Sequence, residues 1–232
     1  MRDRGDQTRE ALLGAAERLF AERGYSDVGT RELAAGAAAN VSAIKYHFGD
    51  KRGLYVAAVR RAMERRPAAA PWEALNEKPK NRKVAAAQLA IFIRLLLVRL
   101  LGPSEDTSTK LLFREAAEPS EAIDSVVAEL IQPLETLLVE VIGTIRPGAS
   151  VDDSRLAAQS VLGQISHYRV FMPFLQRMRN RSLRSSGSIE RIAAHISGFS
   201  LSALGCNSTT IEQAIASAST SPNRNQKRNN PR

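Results

Sequence analysis

Between Asn40 and Lys51 the sequence carries side chains whose types and spacing suit binding to an anionic duplex. One face of the predicted helix is small at its start and then cationic and aromatic: Ser42, Ala43, Lys45, Tyr46 and His47. A helix with a slim, polar leading end can lie in a major groove with its backbone close to the base edges. Lys51 follows this helix at the start of the next one, where backbone N–H groups and the helix dipole favour phosphate.

Local signals predict how this short helix is held. Asn40 is a good N-cap, and we expect its side-chain oxygen to accept the backbone N–H of Ala43. Val41, Ile44 and Phe48 recur at three- and four-residue spacing, which predicts a buried stripe. Gly49 is expected to end the helix, and Asp50 to cap its successor.

A second short helix upstream should support the first. Thr30 is a candidate N-cap, and Leu33 and Ala37 are expected to face inward. Two short helices separated by a few residues around Ala38-Ala39 predict a helix-turn-helix, whose second helix contacts the bases. The alternative is an ordinary pair of helices in an all-α core, because a fold alone does not determine a function.

These segments resemble the DNA-binding domain of the TetR family of bacterial repressors. The resemblance is carried by residues 30–33, 40–48 and 51–55, and it covers about the first 60 residues. Two positions depart from the family pattern. The common turn glycine is Ala38 here, which predicts a helical or slightly strained turn, and the common tyrosine in the middle of the recognition helix is Lys45.

The aligned positions imply which side chains contact DNA. Four are expected to face bases: Arg31, Ser42, Ala43 and Lys45. Four are expected to hold phosphates: Thr30, Tyr46, His47 and Lys51. Arginine can bind guanine through two hydrogen bonds, and Ala43 can meet a thymine methyl group. His47 as a helix-end hydrogen bonder and Tyr46 as a residue at the edge of the core are the alternatives.

Composition narrows the class of protein. The formal net charge of the 232 residues is +9, which favours an anionic partner but does not separate nucleic acid from a membrane surface. Cys206 is the single cysteine, so no intramolecular disulfide can form. The N-terminus lacks the apolar stretch of a signal peptide, and the apolar run Leu89–Leu101 is short for a bilayer span. We therefore expect a cytoplasmic protein.

The hydrophobic period predicts helices throughout, so the expected fold class is all-α. Residues 1–66 should form a three-helix helix-turn-helix domain, with 1–7 as a polar arm. Residues 67–206 should form a larger helical bundle for ligand binding and dimerisation, and 207–232 a disordered tail, because that tail has few apolar groups. Within the bundle, Pro133 is expected to kink a helix and Pro173 to follow the end of one.

Two predicted helices, 154–172 and 189–204, carry small residues beside apolar ones. Ser160, Gly163, Gln164 and His167 lie on one side of the first, and Ala193, Ala194, Ser197, Gly198 and Ser202 occur in the second. The family resemblance implies a homodimer through these helices, and a two-fold dimer would bind a palindromic DNA operator. Packing within the core of one chain is the alternative.

The second region also resembles a branch of the family, through 113–115, 117–120, Gly163-Gln164 and 167–169. Arg114 and Glu115 are unusual in an apolar helical region, because buried charges need partners. They either line a ligand pocket or form a structural ion pair or surface patch. The predicted ligand-binding residues are Phe113, Arg114, Gln164, His167, Tyr168 and Phe171. The resemblance implies a small amphipathic organic effector, and linkage then predicts repression that the effector releases.

Competing classes have weaker signals. The three histidines are far apart and have no metal-ligand spacing, no glycine-rich phosphate loop follows a strand, and no nucleophile lies beside a base. We therefore expect no enzyme activity, no cofactor and no metal. The remaining alternative is a helical interaction or membrane-surface protein that uses the basic residues of 177–191, although such residues more often form a solvated loop.

Overall fold

The computed structural model describes residues 4–64, 71–102, 107–179 and 182–220. These residues form helices and no strand, which confirms the all-α prediction. The helices are α1 (Arg4–Arg23), α2 (Thr30–Gly36), α3 (Val41–Phe48), α4 (Lys51–Glu64), α5 (Arg82–Leu101), α6 (Thr107–Ala117), α7 (Ile123–Val126), α8 (Gln132–Ile145), α9 (Val151–Val170), α10 (Met172–Arg179), α11 (Ser186–Ala203) and α12 (Ser208–Thr220). A 3₁₀ turn, Pro71–Leu75, precedes α5, and a π-helical turn, Val127–Ile131, joins α7 to α8.

The chain divides into two compact units. The first comprises Met1–Arg66 and Glu105–Gln132, and the second comprises Pro67–Ser104 and Pro133–Arg232. The sequence analysis placed 105–132 in the second domain, so this grouping differs from the predicted boundary. Its physical reason is an apolar stripe that shares one core with the helices of the first 66 residues: Leu111, Ala122, Val126 and Leu130. Residues 4–7 begin α1 instead of forming an arm.

Local capping in the first unit follows the predicted pattern with changed partners. The Asn40 side chain accepts the N–H of Ser42 at 3.0 Å, whereas the Ala43 N–H donates to the backbone oxygen of Asn40. Gly29, not Thr30, is the residue before α2, and it makes no side-chain cap. Asp50 caps α4 as expected, because its carboxylate accepts the Gly53 N–H at 2.8 Å.

The second unit is built around α5. This helix buries most of its surface against α9, α11 and α12, and it packs on the 3₁₀ turn that precedes it. Its two buried arginines have partners. The Arg94 guanidinium lies 2.8 Å from the Glu190 carboxylate of α11, and the Arg99 guanidinium lies 5.1 Å from the ring centroid of Trp72. Trp72 of the 3₁₀ turn therefore contacts a buried residue of α5.

By length and composition α5 could also cross a membrane, and it is the one described helix that meets those criteria. The apolar run at 89–101 is the C-terminal part of this helix. Within the most apolar window of α5, 61% of the residues are buried inside the protein. A core helix enclosed by its neighbours meets the same criteria, and its burial assigns α5 to the core.

The prediction of a disordered tail over 207–232 is wrong for its first half. Asn207 caps α12 by accepting the Thr210 N–H at 2.9 Å, and Ala214 and Ala218 are buried against the core. Alanines four residues apart give a narrow stripe that packs closely on α5 without large side chains. The remainder of the predicted tail, 221–232, lies outside the described residues.

Two prolines lie inside helical runs. Pro133 follows the π-helical turn and is the second residue of α8, so the chain remains helical from Ile123 to Ile145. A wider turn accommodates a residue that lacks an N–H and crowds the preceding carbonyl. Pro173 occupies the first turn of α10, where the missing N–H has no consequence, instead of following the end of α9.

The turn of the helix-turn-helix generates a stability prediction. Ala38 has φ of 50°, the positive-φ conformation that disfavours a side chain. Replacing Ala38 with glycine removes about 1–2 kcal/mol of strain and costs about 0.5–1 kcal/mol in chain entropy. We expect Ala38→Gly to raise the free energy of unfolding by about 0.5–1 kcal/mol, as measured by urea denaturation.

Ala35→Gly is the matched control, because Ala35 is exposed within α2. Glycine at that helical position should lower the free energy of unfolding by about 1 kcal/mol. Equal losses in the two variants would show that Ala38 is unstrained.

Candidate nucleic-acid interface

The predicted recognition helix α3 presents a polar and aromatic face to solvent. Tyr46 is 85% exposed, and Ser42 and Lys45 are also exposed. Ala43 and His47 are half-buried, and the His47 ring meets the Tyr46 ring edge-on at 4.8 Å. The exposure of Tyr46 argues against its alternative role at the edge of the core. The contacts of these residues with DNA remain predictions.

The opposite face of α3 is anchored at Ile44. This side chain is 2% exposed and lies in the core shared with α1 and α4. Phe48 is half-buried, and the Arg9 guanidinium lies 5.4 Å from its ring centroid. Val41 is 41% exposed, so the prediction that it belongs to the buried stripe is wrong. Val41 is the first residue of a short helix, where the stripe has not yet turned toward the core.

Tight backbone geometry sets the angle between α3 and α4. Gly49 has φ of 81°, which allows the chain to leave α3 in a conformation that side chains rarely adopt. A Cβ at Gly53 would collide with the carbonyl oxygen of Phe48. The first turn of α4 therefore approaches the end of α3 more closely than any residue larger than glycine permits. This approach brings Lys51 next to the recognition helix.

The supporting helix α2 is fixed by Arg23 at the end of α1. The Arg23 guanidinium donates to the Glu32 carboxylate and to the backbone oxygen of Asp27. Arg31 is exposed beside Glu32, and Thr30 is half-buried at the start of the helix. The two α2 residues predicted to contact DNA thus lie on a helix whose position is set by an ion pair.

Lys51 has more protein contacts than the sequence indicates. Its Nζ lies 4.1 Å from the ring centroid of Tyr25, a cation–π geometry. Burial lowers the pKa of Lys51, while the nearby carboxylates of Glu121 and Asp27 act in the opposite direction. The ammonium group of Lys51, the predicted phosphate contact, is therefore held against an aromatic ring.

Tyr25 belongs to an aromatic cluster inside the first unit. Its ring stacks on Phe20 at 5.9 Å and meets Tyr55 edge-on at 5.2 Å. The two tyrosine hydroxyls donate to carboxylates from the later segment: Tyr25 to Glu121 at 2.6 Å and Tyr55 to Glu115 at 3.0 Å. Burial and these carboxylates raise the pKa of each tyrosine, so both hydroxyls remain protonated donors.

The environment of Arg114 and Glu115 favours the structural alternative for these two charges. The Arg114 Nη1 donates to the backbone oxygen of Glu22 at 3.1 Å. Glu115 is buried and also accepts the backbone N–H and the hydroxyl of Ser120, each at 2.9 Å. The sequence does not indicate the contacts of Arg114 with Glu22 and of Glu115 with Tyr55, because these partners are 92 and 60 positions apart along the chain.

The residues predicted to bind ligand fall in both units. Phe113 and Arg114 belong to the first unit, and the other four lie on α9 or at its end in the second. His167 stacks on Phe171 at 4.9 Å, and Gln164 lies 3.4 Å from the Ser200 hydroxyl of α11. Tyr168 lines a cavity of about 400 Å³ in the second unit, together with Leu183, Ser188, Arg191, Ile192, Ala194 and His195.

The helices predicted to dimerise leave part of their surface exposed. Leu156 of α9 is 63% exposed and Phe199 of α11 is 61% exposed, and Gly163 and His167 are exposed between them in sequence. Ala193 and Ser197, in contrast, are buried within their own unit, which favours for these two residues the alternative of packing within one chain. Gly198 of α11 faces α12, because an added Cβ would lie 4.0 Å from Ile211 and Ile215, an ordinary van der Waals contact.

Comparison with known protein families finds two matches. Residues 12–58 match the family of bacterial regulatory proteins called the tetR family. Residues 85–204 match the C-terminal domain of the HTH-type transcriptional dual regulator CecR. CecR of Shigella flexneri is 30% identical over 175 residues, which cover 72% of this chain and 78% of that protein.

Solved structures support the fold. AibR, in complex with isovaleryl coenzyme A and operator DNA, gives a TM-score of 0.55 at 16% identity and covers 83% of this chain and 97% of its own. NalD of Pseudomonas aeruginosa, the secondary repressor of the MexAB-OprM multidrug efflux pump, gives 0.55 at 18% identity. That comparison covers 82% of this chain and 93% of NalD.

Proposed function

This chain belongs to the TetR family of transcriptional regulators, which are not enzymes, and we propose that it represses transcription by binding a palindromic operator as a homodimer. One observation carries the proposal. Lys45 and Tyr46 are exposed on a capped helix whose other face is anchored by buried Ile44. A helix held in this way can enter a major groove without unfolding its support. A repressor that binds operator DNA in this way acts in the cytoplasm.

We propose the DNA contacts that the sequence analysis gave. Arg31, Ser42, Ala43 and Lys45 read bases, while Thr30, Tyr46, His47 and Lys51 bind phosphates. The exposed positions among them are free to meet DNA, and Lys51 lies in the first turn of α4, where the helix dipole adds to its charge. A basic recognition unit of this kind binds with strong salt dependence.

Selection of bound sequences from a random duplex pool tests the function. The expected product is a palindrome whose half-sites lie one or more helical turns apart, because a two-fold dimer presents two copies of α3. Sequences without two-fold symmetry, or no enrichment, would contradict the proposal.

The dimer is testable separately through the exposed faces of α9 and α11. Replacing Phe199 with glutamate places a charge on an apolar surface that the proposed dimer covers. We expect Phe199→Glu to shift the protein to monomers in sedimentation velocity and to abolish binding to the full palindrome. Val84→Glu introduces the same charge at an exposed apolar position of α5, and it should leave the dimer intact.

Lys51 gives the sharpest test of the phosphate contacts. Each neutralised phosphate contributes about 0.9 to the slope of log affinity against log salt. Lys51→Ala should therefore weaken binding to all sequences and flatten the slope by about two in a dimer. Lys83→Ala removes the same charge from an exposed position in the second unit and should change neither quantity. An unchanged slope in Lys51→Ala would disprove the assignment.

We propose that an amphipathic organic effector releases the repressor, and that it binds in the cavity beside Tyr168. Its lining combines apolar surface from Ile192 with polar groups from Arg191 and His195, a composition typical of ligand pockets. AibR is a structural neighbour crystallised with both an acyl-coenzyme A and operator DNA. The remaining predicted ligand residues of this unit, Gln164, His167 and Phe171, are proposed to respond to the effector.

Titration with a panel of amphipathic organic acids tests effector release. We expect at least one acid to lower operator affinity, because a ligand that prefers the non-binding state must weaken DNA binding by the same factor. Arg191→Ala should reduce that response while leaving effector-free operator affinity unchanged. A panel without effect, or an undiminished response in Arg191→Ala, would contradict the proposed site.

A further inference from the structure

We propose that Tyr25 is a positioning residue for Lys51 and that Glu121 fixes Tyr25 from the segment between α6 and α7. This inference rests on the proposed role of Lys51 as a phosphate contact. It adds two residues, neither of which is on the predicted DNA-binding surface, to the set that determines operator affinity. It also identifies Tyr25 as the residue that links the 107–132 segment to Lys51.

The first step is the contact between Lys51 and the aromatic ring. The ammonium lies 4.1 Å from the centroid of Tyr25, and the tyrosine itself is only 5% exposed. A lysine on a flexible four-carbon chain loses rotamer freedom whenever it binds a phosphate. A ring that already holds the ammonium at the first turn of α4 reduces the freedom that remains to be lost.

The second step is the rigidity of the ring. Phe20 stacks against one side of Tyr25, and Tyr55 meets it edge-on, so the ring cannot rotate away without disturbing the core. The hydroxyl of Tyr25 points to a different element and donates to Glu121 at 2.6 Å. A charge-assisted hydrogen bond of this length is stronger than a neutral one.

The third step is where Glu121 lies. It follows Ser120, which is bonded through its N–H and hydroxyl to buried Glu115. Two carboxylates from one short segment therefore hold Tyr25, which lies against Lys51, and Tyr55, whose ring meets that of Tyr25. A displacement of this segment would break the hydrogen bond between Tyr25 and Glu121. The Tyr25 ring would then no longer be fixed against the Lys51 ammonium.

A double-mutant cycle on the full-length protein tests whether Tyr25 acts through Lys51. In the wild-type background, Tyr25→Leu should lower affinity for the selected operator by about threefold per subunit, or about tenfold for a dimer, the size of an exposed cation–π contact. In the Lys51→Ala background, the same substitution should have no further effect, because no ammonium remains to be positioned. Equal losses in both backgrounds would overturn the inference and leave Tyr25 a purely structural residue.

Tyr55→Phe is the matched control. It removes the hydrogen bond to Glu115 from the same aromatic cluster but leaves the ring beneath Lys51 in place. Its effect on operator affinity should be the same with lysine or alanine at position 51. If the effect of Tyr55→Phe on operator affinity depended on Lys51 as strongly as that of Tyr25→Leu, the double-mutant cycle would be reporting a general loosening of the core. The inference would then fail.

Two further measurements test the inference even if Tyr25→Leu does not fold. They also isolate the contribution of Glu121. The ε-methylene protons of Lys51 should resonate upfield in the wild type and in Tyr25→Phe, because both retain the ring, and should move downfield in Tyr25→Leu. Glu121→Ala and Tyr25→Phe remove the same hydrogen bond, so their losses in affinity should not add. Normal ε-methylene shifts in the wild type would overturn the inference directly.

The outcomes separate the two proposals. If Lys51→Ala leaves the affinity and its salt dependence unchanged, the phosphate assignment fails and the inference fails with it. If Lys51→Ala weakens binding but the cycle with Tyr25→Leu is additive, the phosphate assignment stands and only the positioning role is lost.

Discussion

The first unit depends on a carboxylate buried in its core. Glu115 is 3% exposed, and a carboxylate at such a depth must be hydrogen-bonded or lose its charge. Tyr55 and Ser120 supply three donor groups, which compensate for the water that the carboxylate loses. The arrangement ties α6, the following turn and α4 together. Removing any one donor leaves part of a buried charge unsatisfied, so the three elements hold their relative positions.

The same bonding explains why a segment distant in sequence belongs to the DNA-binding unit. Apolar residues such as Leu111 and Val126 supply the burial, but burial alone does not fix the register of a helix against its neighbours. The two tyrosine–carboxylate bonds do so, because each joins one hydroxyl to one carboxylate. Hydrophobic contact thus holds the segment against the helices of the first 66 residues, and the hydrogen bonds set its register.

Much of the DNA-binding unit was predictable because its signals are local. The cap at Asp50, the stop at Gly49 and the buried Ile44 each depend on neighbours within a few residues. The Asn40 cap was predicted with the wrong donor, since caps to the second and third residues of a helix give the same sequence signature. The partners of Tyr25 and Tyr55 were not predictable, because residues 60 or more positions apart leave no periodic signal.

The errors in the second unit have one common origin. Its C-terminal residues are poor in large apolar side chains, so composition predicted disorder, yet Ala214 and Ala218 are buried in the core and Ile211 of the same helix packs against it. Because α12 was missing from the predicted fold, small residues of α11 that receive it seemed available to a second chain. Ala193 and Ser197 are buried by the protein's own helices, whereas Phe199 remains exposed. Small residues permit close packing but do not specify a partner, whereas an exposed phenylalanine has a solvation cost that a partner can remove.

The chain passes from the first unit to the second inside a helical run. Gln132 is the last residue of the first unit and Pro133 the first of the second, and both lie in one helical run that begins at Ile123. The π-helical turn before Pro133 is the point in this run where the regular hydrogen-bond ladder is already altered. The proposed release requires an effector with unequal affinity for two states of the protein, because a ligand that binds both equally shifts neither.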